Sequence, residues 1–216
     1  MSYLIERLIM VPIVLIALTF HEFSHGLVST KLGDPTPRLT GRMTLNPLAH
    51  LDPVGTILMI LTGFGWAKPV QINPRYYKNP KWGMAVTALA GPISNLVLAF
   101  AAMLMYTIIV IVNYKTGLFG GSMGAILNFI LLFAQVNLSF MVFNLIPIPP
   151  LDGSRVLGLF LSTNAYFKLQ QFERYSMILI IVLSLFNVFS RIIGTGVSVV
   201  LNGIIHICNL ILQLVV

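Results

Sequence analysis

Stretches of roughly 20 apolar residues recur along this chain, with short polar punctuation between them. Lipid offers the backbone no hydrogen-bond partner, so a run of that kind closes its own hydrogen bonds as a helix. Composition agrees: 57% of the 216 residues are hydrophobic and 9% are charged, against about 25% charged in a soluble domain. The expected fold is an all-α polytopic membrane protein, a single integral-membrane domain over residues 1–216 with little chain left for a soluble one.

About five transmembrane helices are expected. The first runs from Tyr3 to Thr30, with Pro12 as a kink; Glu6 and Arg7 interrupt its start and no small-residue cleavage site follows, so it reads as a retained helix. Gly33, Pro35 and Pro37 in "KLGDPTPRLTGR" stop it. The second runs from Trp82 to Val112 and the third from Met123 to Ile146. "MILIIVLSLFNVF" and "VSVVLNGIIHICNLILQLVV" add two C-terminal spans within residues 173–216, beyond a core at 3–160.

"VGTILMILTGFGW" is too short to span, which suggests a re-entrant or interfacial hairpin turning at Gly63 and Gly65. After it, Trp66, Lys68, Val70 and Ile72 alternate as in an edge strand, so a small membrane-associated β-sheet is expected. Seven of the thirteen basic residues lie between Lys31 and Lys81, which places this region on the cytoplasmic side of a cell membrane. The net charge of +7 is scattered through loops without a basic-aromatic stripe. That pattern excludes a nucleic-acid partner and points to the bilayer, whose inner leaflet is anionic.

"LTFHEFSHGL" places His21, Glu22 and His25 inside the first apolar run. Ionisable groups at membrane depth cost about 2.5 to 3.5 kcal/mol each on insertion scales, so three within five residues need a compensating partner. The spacing is H-E-x-x-H, in which histidines four apart lie about 40° from each other on one helical face and can share one metal. Zinc is the expected ion, one per chain, with Glu22 placed to take a proton from water rather than to ligate. Chance would produce the pattern in roughly one such chain in a thousand, so the motif carries weight.

Two histidines leave zinc short of a ligand, and the chain has six acids. Asp152 is the first candidate, because Pro147, Pro149 and Pro150 break the end of the third span before it and Gly153 permits a sharp turn. Asp52, beside His50 in "NPLAHLDP", is the rival, though a Pro-flanked loop favours a capping role. His206 reads as a hydrogen-bonded core histidine, and Cys208 as a small buried hydrophobe that excludes a disulfide within the chain. Asn144 and Asn95, the latter in "AGPISN", offer uncharged donors and acceptors suited to holding peptide backbone. Ala90 and Gly91 would let the second span pack closely.

"HEFSH", "AGPISN" and "FNLIPIPPLDG", in that order, resemble the site-2 protease family of intramembrane zinc metalloproteases, peptidase family M50. "GRMTLNPLAHLDPVGT" and "WAKPVQINP" resemble its small bacterial and archaeal members, which have no PDZ domain. The resemblance implies that His21, His25 and Asp152 bind zinc, that Glu22 is the general base, and that Asn144 contacts substrate backbone or the developing oxyanion. It also implies hydrolysis of transmembrane protein substrates inside the membrane, with Val70 and Ile72 on a strand that captures the unwound peptide. A non-catalytic membrane scaffold or metal-binding protein of the same ancestry is the alternative, but it would have no use for Glu22. A transporter is a further alternative, weakened by the lack of paired broken helices. The residues by themselves specify no oligomeric state.

Overall fold

Capping groups mark both ends of the longest helix, Pro80–Thr116. The computed structural model describes residues 3–55 and 68–215. Helix α1 (Tyr3–Lys31) is followed by the single-turn α2 (Thr36–Leu39). Helix α3 (Pro80–Thr116) starts after Asn79, whose Oδ1 accepts from the Trp82 amide at 3.1 Å. It ends at Gly117, where φ of 65° requires a residue without Cβ. Then come α4 (Met123–Asn144), the short α5 (Asp152–Leu157), α6 (Thr163–Leu185) and α7 (Val188–Val215).

Four helices among the described residues are long and apolar enough to cross a membrane: Ile9–Lys31, Pro80–Thr116, Gly120–Asn144 and Val188–Gln213. The expected count of five is corrected to these four. The "MILIIVLSLFNVF" stretch is split at Asn187, whose φ of 56° separates α6 from α7. Upstream of its apolar end, α6 carries Lys168, Gln170, Glu173 and Arg174, so the helix is long enough to span but only its second half is apolar.

Core packing sets the order of the helices. Ala99 and Met103 of α3, Ile130 and Leu138 of α4, and Ile204 and Cys208 of α7 form one buried cluster. Ile13 and Ala17 of α1 bury against Val136 of α4. A third cluster joins Ile146 and Leu151, in the turn after α4, to Ile180 of α6 and Phe189 of α7. Phe143 and Phe189 pack edge to face with ring centres 5.7 Å apart, an arrangement favoured by the ring quadrupoles. These contacts fix the turn that carries Asp152.

The expected sheet is not found: no described residue belongs to a β-strand, and residues 68–73 have no regular secondary structure. The reason lies in where their amides go. Lys68 N–H donates to His50 O at 2.9 Å, and Pro69 has no amide hydrogen to give. Val70 N–H donates to Glu22 Oε2 at 2.8 Å, and Asn73 N–H donates to Asp34 Oδ2 at 2.8 Å. Carboxylates on or beside α1 thus take donors that a neighbouring strand would have taken. The expected hairpin falls mostly on residues 56–67, outside the described residues.

Asp34 is the main anchor of this segment. It is buried, and besides the Asn73 amide it accepts from Ser29 Oγ at 2.8 Å and from Thr36 N–H at 2.9 Å. Burial pushes its carboxyl up, but the bonds from Asn73, Thr36 and Ser29 outweigh that and hold it below the usual carboxylate range. A folded-state value below the unfolded one, about 3.9, gives stability that is complete above the unfolded value. That stability is lost as pH falls through the folded value. Asp34→Ala, which leaves three donors unpaired, is expected to cost about 1 to 3 kcal/mol and to lower the melting temperature in detergent. It should also flatten the melting-temperature profile of the protein below about pH 4; an unchanged profile would remove Asp34 from the fold's acid sensitivity.

Candidate metal centre

Three side chains from distant parts of the chain meet at one point. His21 and His25 sit one turn apart on α1, with ring centres 4.6 Å apart and planes at 86°. Their Nε2 atoms lie 3.1 and 3.3 Å from Asp152 Oδ2, and the three candidate ligand atoms are all within 4.8 Å of one another. Both histidines are buried, and Asp152 is largely so.

Helix α3 decides which imidazole nitrogens face this point. His25 Nδ1 is 2.7 Å from the Thr87 carbonyl, which can only accept, so Nδ1 carries the hydrogen. His21 Nδ1 is 2.7 Å from Asn95 Oδ1, and the Asn95 amide donates to Ala17 O and to Asn137 Oδ1, both at 3.0 Å. Asn95 Oδ1 is therefore the acceptor there as well. In the neutral rings both Nε2 lone pairs then point at a carboxylate, an arrangement of acceptors only. A cation between them would satisfy all three groups at once, and nitrogen and oxygen donors of this kind suit zinc.

Asp152 arrives through the turn after α4. Leu151 is buried among Ile146, Ile180 and Phe189, and Ser154 Oγ donates to Leu151 O at 2.7 Å. The turn folds back so tightly that a Cβ on Gly153 would lie 2.2 Å from Leu145 O. Burial pushes the Asp152 carboxyl up, but the facing His25 and His21 draw it well below the usual carboxylate range.

A cavity of about 430 Å³ opens on this cluster and is lined by His21, Glu22, His25, Val70, Ile72, Asn144 and Asp152. Asn144 Nδ2 donates to Phe140 O at 3.0 Å. Asn95 does not line the cavity; it is fully buried behind His21, and its polar atoms are committed. Asp52 lies outside the cluster and accepts from Gly55 N–H at 2.9 Å. His50 is buried, with Nε2 donating to Thr44 O at 2.9 Å. Sequence reasoning did not single out Thr87, Arg155 or Glu173, although all three also line the cavity. A backbone carbonyl has no residue-type signature, whereas Arg155, one turn after Asp152, could have been found by helical spacing.

The profile of peptidase family M50 matches residues 9–187. The chain belongs to peptidase family M50. It is 34% identical over 213 residues, 99% of its length, to the Bacillus subtilis protein named "Putative zinc metalloprotease YwhC", of which it covers 94%. It is also 25% identical over 186 residues to Rip2 of Mycolicibacterium smegmatis, covering 82% of this chain and 66% of that protein. With Rip2 of Mycobacterium tuberculosis the identity is 26% over 177 residues, 79% of this chain and 64% of that protein. Both Rip2 proteins are described in the same words as YwhC. No solved structure matches. This M50 member is a zinc metalloendopeptidase, and its His-His-Asp cluster fits one zinc.

Close approach of α3 explains why "AGPISN" opens with small residues. A Cβ on Gly91 would lie 2.5 Å from both His21 Cε1 and His25 Nε2. Gly91→Ala is therefore expected to displace the imidazoles and lower zinc content, read by elemental analysis of purified protein whose helical circular dichroism is unchanged. Asn95→Ala, which removes the His21 Nδ1 acceptor, should weaken zinc about tenfold or more in a competition titration with a chelator. Unchanged zinc affinity would show that His21 does not depend on its α3 partner.

Proposed function

We propose that the protein is an intramembrane endopeptidase that hydrolyses peptide bonds within or next to transmembrane segments of other membrane proteins. The observation that carries the proposal is that Glu22 and the His21, His25, Asp152 cluster share one cavity beside helices long enough to span the membrane. In this reading His21, His25 and Asp152 hold the zinc. Bound there, zinc would supply a Lewis acid for the scissile carbonyl and a water of lowered pKa.

Glu22 performs the proton transfers. Its Oε2 is held by the Val70 amide at 2.8 Å, which fixes the carboxylate at the cavity wall. The carboxylate accepts a proton from the attacking water and passes it to the leaving amine, so that hydroxide ends on the carbonyl carbon and hydrogen on nitrogen. Asn144, at the cavity edge, binds substrate backbone or the developing oxyanion, and Val70 and Ile72 shape the channel for the unwound peptide. A helical substrate must unwind first, because its amides are bonded within the helix. The basic residues between Lys31 and Lys81 adjoin the C-terminal end of α1 and support a cytoplasmic orientation for the cavity.

Glu22→Gln is expected to retain zinc and to lose about 100-fold or more of its cleavage rate on a generic membrane-helix substrate in detergent. Zinc-loaded Glu22→Gln protein that cleaves like wild type would rule out Glu22 as the base. Asp152→Ala should lose zinc while Asp52→Ala keeps it; the reverse result would move the third ligand to the loop.

A further inference from the structure

Helix α7 carries a line of polar side chains on the face turned away from the rest of the protein. At about 100° per residue, Thr195, Ser198, Asn202, His206, Asn209 and Gln213 fall within an arc of about 80° over about five turns. All six are exposed. On the other side of the helix Ile204 and Cys208 are 5% and 3% exposed and belong to the core shared with α3 and α4. His206 thus lies on an outer face, where the sequence had suggested a core histidine.

Val188–Gln213 is itself one of the candidate spans by length and composition, so with the helix across a bilayer this outward stripe would meet the hydrocarbon layer. A polar group there without a partner is costly. Ser198 is satisfied within the helix, its Oγ donating to Gly194 O at 2.7 Å. Among the described residues, Asn202, His206, Asn209 and Gln213 have no hydrogen bond to the rest of the chain. No residue of α7 lines the catalytic cavity, so the stripe is not explained by substrate hydrolysis.

Its chemistry is self-complementary. Amide and neutral imidazole side chains each offer a donor and an acceptor, so an identical stripe supplies what this one lacks. The stripe contains no acid, and the nearest cation, Arg191, stands at the helix end. Two copies inserted in the same sense and related by an axis along the membrane normal bring their α7 helices together in parallel. Thr195, Asn202 and Asn209 are seven residues apart, the repeat at which parallel helices keep one seam in register. We infer that α7 is a homodimerisation helix, with Asn202 and Asn209 each meeting its own counterpart in the partner subunit.

The test uses the full chain in lipid vesicles with Cys208→Ser as background. Thr195→Cys, within about 20° of the stripe's midline, is expected to form an intermolecular disulfide under mild oxidation. Ile207→Cys, about 120° round the helix and also exposed, is not. Single-molecule photobleaching of labelled protein should show two-step traces that shift to one step on lipid dilution. Asn202→Leu and Asn209→Leu should each move that midpoint about threefold towards the monomer, the scale of one polar contact between membrane helices. Leucine keeps the helix apolar, so these variants insert and fold, and the readout requires no cleavage. One-step traces at every dilution, equal crosslinking at Ile207→Cys, or leucine variants that dimerise like wild type would each overturn the inference.

Discussion

Two imidazole Nε2 lone pairs and a carboxylate oxygen aimed at one point repel each other unless a cation lies between them, and much of this structure serves to hold them there. His21 and Asp152 are 131 residues apart in sequence, so the meeting depends on three separate elements. Helix α1 spaces the histidines by one turn. Helix α3 fixes their tautomers through Thr87 O and Asn95 Oδ1 and makes room for the rings at Gly91. The turn after α4, tight enough to require Gly153 and anchored by Leu151, delivers the carboxylate.

Carboxylates also organise the cavity wall. Glu22 and Asp34 each take a backbone amide from residues 70–73, so the segment is attached to α1 by side chains rather than by a ladder of backbone bonds. One consequence is that the proposed base is oriented by the wall of the channel it serves. Ser29 and Tyr77 extend the network: Ser29 Oγ and Tyr77 Oη are 2.7 Å apart, and Tyr77 Oη is 3.2 Å from Thr87 Oγ1. This links the Asp34 anchor to the same α3 residue whose carbonyl holds His25.

Several polar groups buried between the spans are satisfied by near neighbours. Thr19 and Thr107 donate to carbonyls one turn back, and Asn95 and Asn137 bond to each other across α3 and α4. Against that economy, the outward stripe on α7 stands apart, because its acceptors and donors face away from the protein. The same rule, that a polar group in hydrocarbon needs a partner, accounts for the inner bonds and motivates a partner for the outer ones.

Local properties were legible in the residues. Apolar run length marked α1, α3, α4 and α7, and the one-turn spacing of His21 and His25 required no tertiary knowledge because 3.6 residues per turn sets it. Proline and glycine before and after Asp152 marked the turn. The fourth span was misread because hydropathy continues through Asn187, where the backbone turns left-handed. The strand was misread because alternation describes side-chain polarity and not where the amides find acceptors. The role of Asn95 was hidden for a similar reason: an amide can hold substrate or histidine equally well, and only the packing of α3 against α1 chose. Sequence by itself determined which segments belong in a membrane and which residue types could bind a metal, since both follow from composition and helical period. Tertiary structure alone decided which lone pairs converge, which carboxylate anchors a loop and which face of α7 is left outside, because those depend on the directions of side chains between elements.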